Sequence, residues 1–360
     1  MTPVCFGRLG LCPAVALLAV ACSTSTSPSS PSPDDPEPAE HVDVQTVGGS
    51  PCVTPGTRDP ALWPFTDTSP WNTPVGSDAV YEPSTDPEFD PSIGGWISTT
   101  EWSHPIYIAE AGDPFKKVKY AWDGSLCKRL KVPDDAAPDP MADAHLHLID
   151  PNHRFVVETW RAERQGTGNI FAEACVVNDL EGPGVYDDWH GTRAYGGSAI
   201  GGLIREGELL NGIPHAVAVC LQRPGLNRNA PGGSPFVWPA SSADDGWDLP
   251  VNQGGYGETG NIYMGSLLAI PPDVDVGALG LSLQGENLGH ALQDYGAYLV
   301  DACGPNMDFS AEPSVLDELP GTLWEDIVAL ESELQVVTNN AEAAVGGGGD
   351  PRVCLAPLFQ

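Results

Sequence analysis

The chain has 360 residues, among them 41 glycines and 36 prolines, and its formal net charge is −33. Gly and Pro make up about a fifth of the chain, against roughly 12% in average proteins, which excludes a helical bundle or a coiled coil. Because nucleic-acid binding needs clustered Lys and Arg, a chain with 16 basic and 49 acidic residues is a poor nucleic-acid binder. The composition instead favours a turn-rich β protein.

The N-terminus is predicted to be a lipoprotein signal peptide, residues 1–21. Its apolar run at 13–21 is too short to span a bilayer comfortably as a permanent helix. The segment Leu18-Ala19-Val20-Ala21-Cys22 resembles a bacterial lipobox, in which Cys22 is lipidated and becomes the new N-terminus. The alternative is an ordinary signal peptide cut near Ala21. Residues 22–50 are rich in Ser, Pro and acidic residues and are predicted to be a disordered tether.

Six further cysteines follow the tether: Cys52, Cys127, Cys175, Cys220, Cys303 and Cys354. An even number in an exported domain predicts up to three disulfides. Cys52 and Cys354 lie at the two ends of the folded region, so a bridge between them is one candidate, while the pairing as a whole stays open. None of these cysteines has the C-x-x-C spacing of a zinc ribbon or a thioredoxin-like site.

Residues 51–310 are predicted to form an all-β or mainly β domain, an antiparallel β-sandwich of the jelly-roll type with a few helices. The predicted strands are short, β-branched or aromatic, and separated by turn residues: Ile106–Ala109, Val118–Trp122, Cys127–Val132, His145–Ile149, Phe155–Trp160, Ile170–Val177, Ala199–Ile204, His215–Leu221 and Tyr263–Ile270. Apolar spacing predicts helices over 286–295 and 322–335. The second helix belongs to a helical extension, residues 311–360, expected to pack on the same domain.

The strongest candidate site is a predicted hairpin around residues 143–160. Alternate residues of a strand share a face, so His145 and His147 project to the same side. A loop at 151–154 places His147 opposite Glu158 and His145 opposite Trp160. An open sheet face with these four side chains suits a sugar, because an indole stacks on a pyranose while imidazoles and carboxylates bind or move protons.

Two alternatives remain for the histidine pair. His-x-His on a strand is also a metal spacing, with Glu158 or Asp143 as a third ligand. A solvated or hydrogen-bonded pair without an ion is the other interpretation. We assign no metal ligand from the sequence, and the cofactor stays open, with a divalent cation such as calcium among the candidates.

Arg205 and His215 form a second candidate group, because a strand ending at Arg205 is followed by a helical turn and a strand opening at His215. Arg can neutralise a carboxylate and His can act as a base; the alternative is a structural Arg–Glu pair and a buried His. Tyr295 lies at a predicted helix–strand junction, where it is either a proton donor or a core residue.

Three segments carry a resemblance to known proteins: Ser69-Pro70-Trp71-Asn72, the run 201–205 with Pro214-His215-Ala216, and the run 291–298. Over roughly residues 65–312 the chain resembles a group of secreted bacterial β-sandwich proteins without an established activity. It is also weakly similar to jelly-roll polysaccharide lyases of the alginate and glucuronan type. That similarity implies catalysis by Arg, His and Tyr on a concave sheet, although the run Arg205–Leu209 has one residue more than the lyase motif and lacks its second Arg.

The sequence therefore predicts an exported bacterial lipoprotein of the cell membrane or outer membrane that cleaves a polysaccharide, as a lyase or a glycoside hydrolase. Trp160 would hold the sugar, and the acid, base or charge-neutralising residues would be His145, His147, Glu158, Arg205, His215 and Tyr295, gathered in one cleft. The alternatives are a non-catalytic protein that binds glycan or cell wall, and a structural lipoprotein. The expected partners are a polysaccharide or cell-wall glycan and the membrane, through the lipid anchor, and the protein is expected to be a monomer.

Overall fold

The computed structural model describes residues 52–360, so the predicted signal peptide, Cys22 and the tether lie outside the described residues. In this part of the chain the strands are β1 (Thr57–Arg58), β2 (Tyr81–Pro83), β3 (Gly95–Ser98), β4 (Ile106–Ile108), β5 (Phe115–Tyr120), β6 (Leu126–Lys131), β7 (Leu146–Ile149), β8 (Phe155–Trp160), β9 (Glu163–Arg164), β10 (Ile170–Ala172), β11 (Ala174–Asp179), β12 (Val217–Gln222), β13 (Leu267–Ala269), β14 (Ala297–Cys303), β15 (Met307–Ser310), β16 (Gln335–Val337) and β17 (Leu358–Phe359). The α-helices are α1 (Glu208–Asn211), α2 (Leu283–Asp294) and α3 (Leu323–Glu333). Short 3-10 turns lie at Pro91–Ile93, Arg223–Gly225, Val251–Gln253, Val276–Ala278, Pro313–Glu318 and Val345–Gly347.

The strands form a seven-stranded sheet of order β2-β16-β13-β14-β12-β15-β3, two four-stranded sheets of order β11-β8-β7-β4 and β6-β5-β10-β9, and the pair β1-β17. The predicted mainly β, sandwich-like fold is confirmed, and the described sheets do not close into a barrel. The sheets are mixed rather than purely antiparallel. Strands β12 and β14 are parallel neighbours, because the long connection between them contains α2 and acts as a crossover.

Both predicted long helices are present, with slightly different ends. Ser282 is the N-cap of helix α2, and its hydroxyl accepts a hydrogen bond from the Gly285 backbone N–H at 3.1 Å. Its apolar residues Leu288, Ala291 and Leu292 are buried in the main core, which surrounds the seven-stranded sheet. A second, smaller core lies between the two four-stranded sheets and includes Val118, Leu130, Leu146, Leu148, Val157 and Ile170.

Four predicted strands differ from the structure by more than a small shift of their ends. Residues 199–204 are irregular, β12 starts at Val217 rather than at His215, and the strand expected over 263–270 is confined to Leu267–Ala269. The strand expected over 170–177 is two strands, β10 and β11, which belong to different sheets. The glycines explain the first difference. A Cβ atom on Gly201 or Gly202 would lie 2.4 Å from the Trp71 ring, so the backbone of this segment packs directly against an indole instead of pairing in a sheet.

Residues 311–360 are more than a helical extension, since they contribute β16 to the seven-stranded sheet and β17 to the pair with β1. The six cysteines after the tether form three disulfides, Cys52–Cys354, Cys127–Cys175 and Cys220–Cys303. The predicted bridge between the two ends is therefore confirmed. Three disulfides indicate an oxidising, extracellular environment, and none of the helices in residues 52–360 has the length and apolar character needed to span a bilayer.

Candidate functional site

The hairpin of β7 and β8 has the predicted register. His147 lies opposite Glu158, and the backbone N–H of Asp150 donates to the Phe155 carbonyl oxygen at 3.1 Å. The Asp150 carboxylate also accepts a hydrogen bond from the backbone N–H of Phe155 at 2.8 Å, which closes the turn. The alternation of apolar and polar residues therefore identified both the strands and their pairing.

The face that carries His147 and Glu158 is buried, so the expectation of an open saccharide-binding face is wrong. Neither residue is exposed, because the irregular segment 180–207 lies over this face of the sheet. The Glu158 carboxylate accepts hydrogen bonds from the Ser198 hydroxyl and, at 2.8 Å, from the Ala199 backbone N–H. Burial raises the pKa of Glu158, and its contacts are those of a structural residue.

Three buried histidines lie together on the inner side of this hairpin. His104, directly before β4, joins His145 and His147 because β4 and β7 are parallel neighbours. His104 Nδ1 lies 2.9 Å from His147 Nε2, and the Thr159 carbonyl oxygen accepts a hydrogen bond from His145 Nδ1 at 3.2 Å. The His104 and His145 rings stack with centroids 4.3 Å apart.

The environment keeps these imidazoles uncharged. Burial lowers the pKa of His145 to about 3, with the nearby Arg193 guanidinium as the second cause. Burial likewise holds the pKa values of His104 and His147 well below the usual range. At neutral pH the three rings are therefore neutral, so each has one nitrogen with a lone pair.

A cleft adjoins the histidines and has two neighbouring parts, of about 380 Å³ and about 560 Å³, which have lining residues in common. Asp143, Arg193 and Asp301 line both parts. The smaller part is also lined by His104 and His145. The cleft therefore brings carboxylates, a guanidinium and imidazoles around one space of the size that small-molecule and sugar sites have.

Arg193 and Asp301 form an ion pair in the cleft, with Arg193 Nε 3.4 Å from the Asp301 carboxylate. Arg193 also donates a 2.8 Å hydrogen bond to the Ser310 hydroxyl. The side chain of Asp301 is 23% exposed. Burial, opposed by Arg193 and assisted by the charges of Asp244 and Asp143, raises the pKa of Asp301 to about 7. Asp301 therefore carries a proton in a large fraction of molecules at neutral pH, as a general acid must.

Asp143 is the second carboxylate shared by both parts of the cleft. Its Oδ1 accepts a 2.9 Å hydrogen bond from the Trp160 indole N–H. The Arg161 guanidinium lies 4.1 Å from the centroid of the Trp160 ring. Trp102 and Trp189, which are 44% and 55% exposed, line the smaller and the larger part, so aromatic walls flank the acidic groups.

Arg205 and His215 come close to each other but do not share this cleft. They line a separate cavity of about 10 Å³, a volume that holds at most one water molecule. Arg205 Nε lies 3.2 Å from the Glu312 carboxylate, and His215 Nε2 lies 3.1 Å from Glu208. Although burial disfavours the charged ring, Glu208 raises the pKa of His215. These contacts agree with the alternative interpretation of the sequence, in which Arg205 forms a structural pair with a glutamate and His215 is a buried, hydrogen-bonded residue.

Tyr295 is also separate from the cleft. It follows the last residue of α2 and is buried in the main core, and burial raises the pKa of its hydroxyl. It does not line either part of the cleft. Tyr295 is therefore a core residue, which is one of the two interpretations that the sequence left open.

Five of the cleft residues described above were missed by the sequence reasoning: His104, Arg193, Asp301, Trp102 and Trp189. A weak signal existed for two of them. Arg193 is a basic residue inside a glycine-rich segment, and Asp301 interrupts the apolar run 297–303. A charged residue in an otherwise buried strand needs a partner or a function. For Asp301 the partner is Arg193.

Comparisons of the chain with protein-family models, with curated proteins and with solved structures found no match. The function is therefore inferred from the residues of the cleft.

Proposed function

We propose that the protein is an exported glycoside hydrolase that cleaves a polysaccharide in the cleft between Asp301 and Asp143. The observation that carries this proposal is the pairing of an acid whose pKa burial raises to about 7 with a second carboxylate in the same cleft. Glycoside hydrolases use two carboxyl groups in this way, one as proton donor and one opposite it. The tryptophans on the walls supply stacking surfaces for sugar rings.

In this mechanism Asp301 donates its proton to the glycosidic oxygen as the bond from that oxygen to the anomeric carbon breaks. Asp143 accepts a proton from a water molecule, whose oxygen forms the new bond to the anomeric carbon. One water is consumed, and one new reducing end appears. Arg193 keeps Asp301 in place through the ion pair and stabilises the carboxylate that forms when the proton leaves.

Hydrolysis is favoured over lyase cleavage by the position of the candidate residues. A lyase of the type that the sequence resembles would use Arg205, His215 and a tyrosine on one open surface. Arg205 and His215 are instead paired with Glu312 and Glu208 outside the cleft. The residues that do face the cleft include the carboxyl groups of Asp143 and Asp301, which supports hydrolysis.

A non-catalytic glycan-binding protein is the second candidate. The observation that favours it is the exposure of Trp102 and Trp189 beside the cleft, since exposed indoles bind sugars without any chemistry. This candidate predicts affinity for a glycan without products, and loss of affinity in Trp189→Ala.

The attachment to the membrane is part of the proposal. The lipobox-like segment 18–22 and the Ser/Pro-rich tether support a lipid on Cys22, and the three disulfides agree with export. Labelling of expressing cells with a palmitate analogue should tag the protein, and Cys22→Ser should abolish the tag. Label retained in Cys22→Ser would contradict the lipoprotein assignment.

The decisive experiment is an incubation of the exported protein with a glycan library, followed by mass spectrometry and assays for reducing ends. We expect reducing ends without ultraviolet-absorbing unsaturated products. Asp301→Asn should lower turnover by at least about a hundredfold while glycan binding is retained, and Asp135→Asn, which changes an exposed carboxylate, is the matched control. Unsaturated products would indicate a lyase, and binding without any product would indicate a glycan-binding protein.

A further inference from the structure

The histidine cluster brings three potential metal-ligand atoms close together. His104, His145 and His147 each offer one ring nitrogen, and these three nitrogens all lie within 4.8 Å of one another. Nitrogens bound to one tetrahedral zinc at about 2.0–2.1 Å lie about 3.3 Å apart. His104 Nδ1 and His147 Nε2, at 2.9 Å, are already near that separation.

The hydrogen bond of His145 fixes which of its nitrogens is free. A carbonyl oxygen only accepts, so His145 Nδ1 carries the proton in the bond to Thr159. His145 Nε2 therefore keeps its lone pair and can act as a ligand atom. Histidine ligands of metals are oriented by this kind of bond from the non-ligating nitrogen to a backbone carbonyl.

The cluster is closed on one side and reaches the cleft on the other. His147 is not exposed at all, whereas His104 and His145 line the smaller part of the cleft. Structural zinc sites are fully enclosed by four protein ligands, while catalytic sites have three protein ligands and an open position. The three-histidine cluster corresponds to the second type, with the open position toward the cleft.

We infer that His104, His145 and His147 form a binding site for one zinc-type divalent cation at the edge of the cleft. Imidazole is a ligand for zinc, copper and nickel, whereas calcium and magnesium take oxygen ligands. The third ligand is His104, rather than Glu158 or Asp143. Glu158 cannot serve because its carboxylate is taken by Ser198 and Ala199.

Arg193 and Arg205 are nearby positive charges that disfavour a cation at this site. Arg205 is paired with Glu312. The Asp301 carboxyl lies 3.4 Å from Arg193 Nε and reduces the effect of Arg193 when it is ionised. Asp143 lines the same part of the cleft as His104 and His145 and adds a negative charge that favours the cation. A second group with ligand-like spacing, Cys220, Cys303 and Asp308, is not available to a metal because its cysteines form a disulfide.

The test is a titration of the chelator-treated protein with Zn²⁺ alone, followed by calorimetry and by metal analysis after gel filtration. One ion per chain is expected. His104→Gln should weaken Zn²⁺ binding by at least about tenfold, while His153→Gln, which changes a half-buried histidine paired with Asp59 outside the cluster, should leave the affinity unchanged. Absence of stoichiometric Zn²⁺ in the wild type, or equal affinity in His104→Gln, would overturn the inference.

A second measurement needs no variant and so does not depend on whether His104→Gln folds. Co²⁺ bound by three imidazoles in a four- or five-coordinate site gives strong visible absorption, whereas Co²⁺ in water absorbs weakly. We expect this absorption to appear with one equivalent of Co²⁺ and to disappear when Zn²⁺ is added. Co²⁺ that remains as weakly absorbing as in buffer would contradict the site. Neither measurement uses a glycan, so this inference and the proposed hydrolase activity fail or succeed separately.

Discussion

The Glu158 carboxylate accepts a 2.8 Å hydrogen bond from the backbone N–H of Ala199, and this contact joins β8 to the irregular segment 180–207. The Ser198 hydroxyl donates to the same carboxylate. The segment also carries Arg193, which forms the ion pair with Asp301. A buried structural carboxylate therefore supports the part of the chain that builds the cleft.

Replacement of Glu158 should lower the stability of the fold, because its carboxylate is a structural hydrogen-bond acceptor. Glu158→Ala leaves the buried Ser198 hydroxyl and Ala199 N–H without an acceptor, at a cost of about 1–3 kcal/mol for each group. Chemical denaturation should show a loss of at least about 2 kcal/mol in the free energy of unfolding. Glu163→Ala, at an exposed position of β9, serves as the control. Unchanged stability of Glu158→Ala would mean that the carboxylate is not structural.

The proposed acid predicts a pH profile for hydrolysis. Burial raises the pKa of Asp301 to about 7, and only the protonated form donates a proton. The value of kcat/KM should therefore fall as the pH rises through about 7, and this limb should be absent from the residual rate of Asp301→Asn. Initial rates between pH 5 and 9 measure both profiles. A wild-type rate that is level above pH 7 would exclude Asp301 as the acid.

Glu331 predicts a pH dependence of stability. Burial, together with the charge of Asp308, raises the pKa of Glu331 from its ordinary value of 4.5 to about 8. The folded state therefore binds this proton more tightly than the unfolded state. The resulting stabilisation is fully present below the unfolded pKa and is lost as the pH rises through the folded value.

Glu331→Gln should remove this loss. We expect its Tm to exceed that of the wild type by at least about 2 °C at pH 8 and to differ less near pH 5. Calorimetric scans at the two pH values measure the difference, with Glu325→Gln on the exposed side of α3 as the control. A Tm difference that does not grow with pH would contradict the assignment.

The smaller core should depend on its disulfide. Cys127–Cys175 closes a loop with a sequence separation of 48 residues, which corresponds to about 4 kcal/mol in the chain-entropy model. The double variant Cys127→Ser, Cys175→Ser should lose about 2–4 kcal/mol of unfolding free energy. In hydrogen exchange, amides of β5 and β6 should lose more protection than those of α2. An equal loss in both regions would show that the bridge does not act locally.

The sequence was informative where the contacts are local. In the hairpin, Leu146 and Leu148 alternate with His147 along β7, and the turn begins at Asp150, so the pairing of His147 with Glu158 followed from adjacent residues. Helix α2 was predicted for the same reason, since its apolar residues recur at helical spacing. The bridge between Cys52 and Cys354 was one candidate, suggested by their positions at the two ends of the folded region, and the structure contains it.

The cleft was not predictable in this way because its residues meet through distant pairings. His104 reaches His147 only because β4 joins β7 as a parallel neighbour across an intervening pair of strands. Arg193 and Asp301 are 108 positions apart and come together through the folding of an irregular segment onto β14. Burial of the Glu158 face has the same origin, because alternation shows which residues share a face but not what covers it.

The bridge between Cys52 and Cys354 has a mechanical consequence. Their Cα atoms are 4.8 Å apart, and β1 and β17 run in parallel beside them. A pull on the chain before Cys52 is therefore divided between two covalent paths, one through β1 and one through the C-terminal segment. Neither β1 nor β17 can therefore be pulled away from the domain without the other. If the protein is held at its N-terminal end while a ligand pulls on the cleft, both strands bear the force together.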